Sequence, residues 1–73
     1  MKAFHGRKFK VWQTYQGSKP IEVETDYAIH AAESYTELNC LSRDTSVYFA
    51  GHHNNNTKKF HNNEIGTVYV TEL

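Results

Sequence analysis

The alternation of apolar and polar side chains in the first third of the chain predicts two short β-strands. Residues 8–15 alternate with period two, which places Phe9, Val11 and Tyr15 on one face and Lys10, Trp12 and Thr14 on the other. Residues 21–25 alternate in the same way, with two aliphatic residues on one face and two glutamates on the other. Gly17 and Pro20 favour a turn between them, so the pattern predicts an antiparallel hairpin.

The apolar spacing then changes to that of an amphipathic helix. Thr25 or Asp26 can cap its first turn, where a side-chain oxygen satisfies free backbone N–H groups. Successive helical residues are rotated by about 100°, so one side is expected to collect Ala28, Ala31, Ala32, Tyr35 and Leu38. The opposite side is acidic. Because the inner side is mostly alanine, the helix is expected to lie close to a sheet.

The second half of the chain predicts two further strands. Residues 46–50 form the third strand, with Val47 and Phe49 directed inward. The polar segment 51–59 favours a long hairpin tip, and residues 60–64 show no clear period. Residues 65–71 form the fourth strand, with Val68 and Val70 directed inward.

These elements predict an α+β fold of order ββαββ. One helix is packed on one face of a three- to four-stranded, mainly antiparallel sheet. Residues 1–73 are expected to form one small domain, in which residues 1–8 are a flexible N-terminal arm and residues 9–73 are folded.

A single helix covers only one face of a sheet, so the other face is expected to be open. Trp12, Tyr48 and Tyr69 fall on that face and form a candidate binding patch. Two alternatives assign these rings a structural role: they pair across strands, or the N-terminal arm covers them.

The charges are balanced overall but unevenly distributed. The chain has eight basic and eight acidic residues, yet every charged residue in positions 1–19 is basic and every one in positions 20–37 is acidic, histidines aside. This separation indicates two contact surfaces of different charge, or ordinary solvation of each segment. The basic arm adds Phe4, His5, Arg7 and Lys8 to the candidate partner-binding residues.

The sequence contains no recognised catalytic motif. It lacks a nucleophile motif, a phosphate-binding glycine loop and a paired-carboxylate signature, so we expect a protein that is not an enzyme and needs no cofactor. His52, His53 and His61 are expected to be solvated loop residues without a bound metal, because a structural zinc site usually includes several thiolates and Cys40 is the single cysteine. One cysteine fits a reducing cytosol, and no apolar run is long enough to span a membrane.

Nucleic acid is a second class of partner. Aromatic rings on an open sheet are typical of surfaces that stack bases. Phosphate binding needs a cationic surface, however, and here the net charge is zero and Glu22 and Glu24 share the open face.

The segments 8–12, 21–26 and 27–33 together resemble small early proteins of bacteriophages. The resemblance covers residues 8–38 and loosely one more strand, and it includes the short inhibitors of bacterial RNA polymerase from T-seven-type coliphages and a Xanthomonas phage regulator. It implies a protein of the host cell cytoplasm that binds host RNA polymerase and inhibits transcription initiation by protein–protein contact. Direct contact with nucleic acid is then expected only near promoter DNA. The alternative implied by the same layout is an inhibitor of another host system, such as a restriction or CRISPR complex.

Overall fold

The computed structural model describes residues 6–39 and 45–73 of the chain. Five strands and one helix follow in the order β1 (Arg7–Trp12), β2 (Ile21–Thr25), α1 (Ala28–Asn39), β3 (Tyr48–His52), β4 (Thr57–Asn62) and β5 (Gly66–Glu72). The predicted α+β class is confirmed, since one helix packs against one antiparallel sheet. Phe4, His5 and Cys40 lie outside the described residues.

The five strands form one sheet in the order β2-β1-β5-β4-β3, and every neighbouring pair is antiparallel. The register aligns apolar residues of the core and its border across the sheet: Phe9 opposite the partly buried Val23, Val11 opposite Val70, and Phe60 opposite Val68. All of these side chains lie on the face that α1 covers, which places the core between the helix and this face.

β4 is the strand that the sequence pattern did not predict, and it raises the number of strands from four to five. Its sequence mixes lysine, histidine and asparagine with a single large apolar residue, Phe60, so apolar alternation is nearly absent. β4 nevertheless pairs with β5 on one side and β3 on the other. The turn before it is therefore short, and the His53 N–H donates to the Thr57 carbonyl at 2.8 Å.

The helix approaches the sheet through small side chains. Ala31, Ala32 and Tyr35 are fully buried, as predicted, and Thr36 is buried with them. Leu38 is instead 72 % exposed, because the buried stripe is centred near Ala32 and Tyr35 and Leu38 lies about 90° from that centre.

Three further expectations are corrected at the ends of elements. The first helical N–H groups donate to the carbonyl of Tyr27, so the proposed caps Thr25 and Asp26 lie too early in the chain. Tyr15 lies beyond the end of β1 and is exposed. Phe49 faces the helix side of the sheet but is 51 % exposed, since the helix packs mainly on β2, β5, β1 and β4.

A buried hydrogen-bond network joins the end of β1, the start of β5 and α1. The Gln13 side-chain amide donates to the carbonyls of Ile65 at 2.6 Å and Thr67 at 3.2 Å. Its Oε1 accepts the Tyr35 hydroxyl at 3.1 Å. Burial, with a smaller contribution from the Tyr15 phenol, raises the pKa of Tyr35 to about 12.

Tyr35→Phe is expected to lower the free energy of unfolding by about 1–2 kcal/mol, because it leaves the buried Oε1 of Gln13 without its donor. Urea unfolding followed by circular dichroism measures the change. Tyr27→Phe, at a tyrosine that is 62 % exposed, is the matched control and should change stability by less than about 0.5 kcal/mol. Equal costs for the two variants would contradict a stabilising role of the network.

The raised pKa of Tyr35 also predicts a loss of stability in alkali. Its pKa rises from 10.0 to about 12 on folding, so between these values the unfolded chain has released a proton that the folded chain keeps. The stabilisation is complete below pH 10 and is lost as the pH rises to about 12, on the order of 2 kcal/mol in total. Urea titrations at several pH values should show a steeper decline for the parent protein than for Tyr35→Phe, and parallel declines would contradict the assignment.

Candidate functional site

The candidate site is the side of the sheet opposite α1, called the open face below. Along each strand its positions alternate with those of the core. Two groups of rings lie on it: an aromatic row of Trp12, Tyr69 and His53, and an edge pair of Tyr48 and His61. The predicted assignment of Trp12, Tyr48 and Tyr69 to one face thus agrees with the register of the sheet.

The aromatic row is held together by ring contacts. Trp12 and Tyr69 lie opposite each other on β1 and β5, with their rings stacked at 5.6 Å between centroids and 20° between planes. The His53 ring meets Tyr69 edge-on at 5.0 Å. Trp12 and Tyr69 are half-buried, so they pair across strands and also present surface to solvent.

The edge pair lies on the two outermost strands at one side of the sheet. The rings of Tyr48 and His61 are 5.3 Å apart on β3 and β4, and Tyr48 is 55 % exposed. Phe49 lies on the opposite side of β3 and packs edge-on against Phe60, with 5.8 Å between the ring centroids. The outermost strand therefore presents an aromatic ring on each of its faces.

The basic residues predicted for the arm have different roles. Arg7 belongs to β1 and makes a bidentate ion pair with Glu72, with both N–O distances at 2.9 Å. Its position alternates with that of Lys8, so Arg7 lies on the helix side and outside the open face. Lys8 is also in β1, is exposed, and lies on the open face opposite Glu24.

The two glutamates of the open face are confined to one edge of the sheet. Glu22 and Glu24 belong to β2, the outermost strand on that side, and lie opposite Lys10 and Lys8. No open-face position in the described strands β1, β4 and β5 is a carboxylate, whereas Lys59 contributes a further cation on β4. The acidic residues therefore do not extend across the middle of the face.

A recess of about 330 Å³ opens beside Trp12. It is lined by Lys10, Trp12, Pro20 and Thr71. Of these, the sequence pattern singled out only Trp12 as a binding residue. Lys10 and Thr71 become neighbours through the β1–β5 register, which joins segments about 60 residues apart, and no local signal predicts that register.

The three histidines expected to be loop residues each lie against a different aromatic ring: His52 against Phe49, His53 against Tyr69 and His61 against Tyr48. His52 belongs to β3 and His61 to β4, so the expectation of a loop position is wrong for these two. Within residues 6–39 and 45–73, no three histidine, cysteine or acidic side chains are grouped so as to hold a metal ion. The same residues contain no helix long and apolar enough to cross a membrane.

Comparison of the chain with protein-family models, with curated proteins and with solved structures gives no match. The structural basis for a functional proposal is therefore the geometry of the open face.

Tyr69→Ala is expected to expose Trp12, because Tyr69 covers part of the indole. Trp12 is the single tryptophan, so acrylamide quenching of the protein fluorescence reports on it directly, and quenching should become more efficient. Stability should fall by about 1 kcal/mol or more. Tyr27→Ala is the control, and unchanged quenching in Tyr69→Ala would show that the two rings are not stacked in solution.

Proposed function

We propose that the protein is a regulator that binds bacterial RNA polymerase and inhibits transcription initiation by protein–protein contact. The proposal that the protein binds a partner is supported by the open face, where five ring side chains lie on a sheet surface that the helix does not cover. The identity of the partner is supported by the resemblance of residues 8–38 to phage inhibitors of this enzyme.

The rings suit a protein interface. Tyrosine and tryptophan are enriched among the residues that dominate binding energy, because a large ring buries much area at a small cost in side-chain entropy. Tyr48 is more exposed than Trp12 and Tyr69 and belongs to β3, the strand at one edge of the sheet. It is therefore the expected anchor, with His61 beside it and the aromatic row behind it.

The size of the molecule is compatible with inhibition by occupancy. A standard protein interface takes about 800 Å² from each partner. That is about one sixth of the 5119 Å² accessible surface of this chain. A surface of that size is compatible with inhibition by covering a surface of the enzyme.

The test is affinity purification of the tagged protein from a nuclease-treated bacterial lysate, followed by mass spectrometry and by transcription assays with purified polymerase holoenzyme. We expect polymerase subunits to be recovered and initiation to be inhibited at a stoichiometric ratio. Tyr48→Ala should weaken both effects by about tenfold or more, as expected for an interface anchor. Tyr27→Ala, which truncates a similarly exposed tyrosine outside the open face, should retain both.

Recovery of no polymerase subunit would overturn the proposal. Recovery of a restriction or CRISPR complex instead would identify the protein as an inhibitor of that system, which is the alternative implied by the same resemblance. If Tyr48→Ala and Tyr27→Ala changed polymerase recovery and inhibition equally, polymerase would still be the partner, but the open face would not be the surface that binds it.

A further inference from the structure

The recess beside Trp12 has the chemistry of a site for a planar group that carries negative charge nearby. The indole of Trp12 and the ring of Pro20 provide apolar walls, and Lys10 and Thr71 provide a cation and a hydroxyl. Its volume of about 330 Å³ is at the lower end of the range for small-molecule sites. One flat ring fits such a space, whereas a folded protein surface does not enter it.

The aromatic row fixes the indole for this role. Tyr69 stacks on Trp12 and is itself in contact with His53, so the three rings restrain one another. Tyr69 is not among the residues that line the recess, which therefore adjoins the part of the indole that Tyr69 leaves uncovered. A ring that binds in the recess would contact Trp12 without displacing Tyr69.

The charge distribution favours an anionic chain that runs from the recess across the sheet. Lys10 lines the recess. Lys59 belongs to β4 and lies opposite Tyr69 of β5, so it is two strands, or about 10 Å, away from β1. Glu22 lies opposite Lys10 on β2 and opposes an approach from that edge. The route toward β4 meets threonine, tyrosine and lysine on the open face and no carboxylate on the described strands.

We propose that this recess binds one base of a single-stranded nucleic acid, stacked on Trp12, with neighbouring phosphates at Lys10 and Lys59. Every nucleobase has an aromatic face, so the contact is tolerant of sequence. Duplex DNA does not present such a face, because its bases are already stacked. The recess adjoins the aromatic row of the proposed polymerase interface, but Tyr48 does not line it, so Tyr48→Ala tests polymerase contact and variants at other positions test base binding.

The experiment titrates the purified full-length protein with a twelve-nucleotide oligothymidylate and follows the fluorescence of Trp12, the single tryptophan. Stacking should quench the emission in a saturable manner. With two phosphate contacts, affinity should fall about sevenfold when salt is raised from about 50 mM to about 200 mM. Duplex DNA of the same length should bind more weakly and quench little.

Neighbouring lysines provide a matched pair of variants. Lys59 is on the open face, whereas Lys58 is on the helix side. Lys59→Ala should reduce the salt effect to about threefold, and Lys58→Ala should leave it unchanged. Both variants keep Trp12 as the probe, so neither depends on the folding of a tryptophan mutant. Trp12→Ala, followed by the anisotropy of a labelled oligonucleotide, should lose about 5- to 150-fold in affinity.

Three results would overturn the proposal. The first is no quenching of Trp12 fluorescence at millimolar oligonucleotide and low salt. The second is a lack of discrimination, either an equal salt effect in the Lys59→Ala and Lys58→Ala variants or equal binding of single-stranded and duplex DNA. The third is stronger binding of a twelve-residue oligoglutamate peptide than of the oligonucleotide, which would assign the recess to an acidic protein segment. Each assay contains only the purified protein and the probe, so failure here leaves the polymerase purification to be judged on its own result.

Discussion

A single helix of twelve residues has to cover a sheet of five strands, and most features of this protein follow from that imbalance. Such a helix is about 18 Å long, and its fully buried Ala31 and Ala32 let it lie close to the strands. It packs mainly on β2, β5, β1 and β4, which leaves the outer strand β3 with a half-exposed Phe49. The second face of the sheet receives no cover from the helix.

The open face is stabilised by its own side chains. Trp12 and Tyr69 stack across β1 and β5, and Lys8 and Lys10 lie opposite glutamates of β2. Cross-strand pairs of this kind contribute to sheet stability without a second layer. The same contacts hold the rings in defined orientations, which reduces the entropy that a partner would have to remove on binding. Stability and binding are therefore not competing explanations for these rings.

The two edges of the sheet differ in how they are protected. β2 follows Pro20 and carries Glu22 and Glu24, features that oppose pairing with another strand. β3 has the uncharged sequence Tyr-Phe-Ala-Gly-His and a register shift between Phe49 and Gly51, which disturbs the regular edge. The acidic edge and the aromatic edge lie on opposite sides of the open face. The Tyr48 anchor lies at the aromatic edge, whereas the recess, which Pro20 lines, adjoins the start of β2.

The local pattern of residues was sufficient to predict β1, β2, α1, β3 and β5, and with them an open face that carries Trp12, Tyr48 and Tyr69. These features depend on periodicity within a few residues, which is readable without knowing what each segment packs against. No local pattern predicts the burial of Gln13, since a polar side chain is buried only when distant groups satisfy it. Here these groups are the Tyr35 hydroxyl and the carbonyls of Ile65 and Thr67.

The tertiary structure alone decided the rest. β4 exists because two neighbouring strands supply its hydrogen bonds, although its own sequence of lysines and asparagines resembles a loop. Arg7 belongs to β1 and not to the flexible arm that the sequence predicted. Its ion-pair partner, Glu72, is 65 residues away, so no local pattern predicts this contact. The recess beside Trp12 and the confinement of the glutamates to one edge both follow from strand order, and strand order is set by contacts between distant segments that no local pattern encodes.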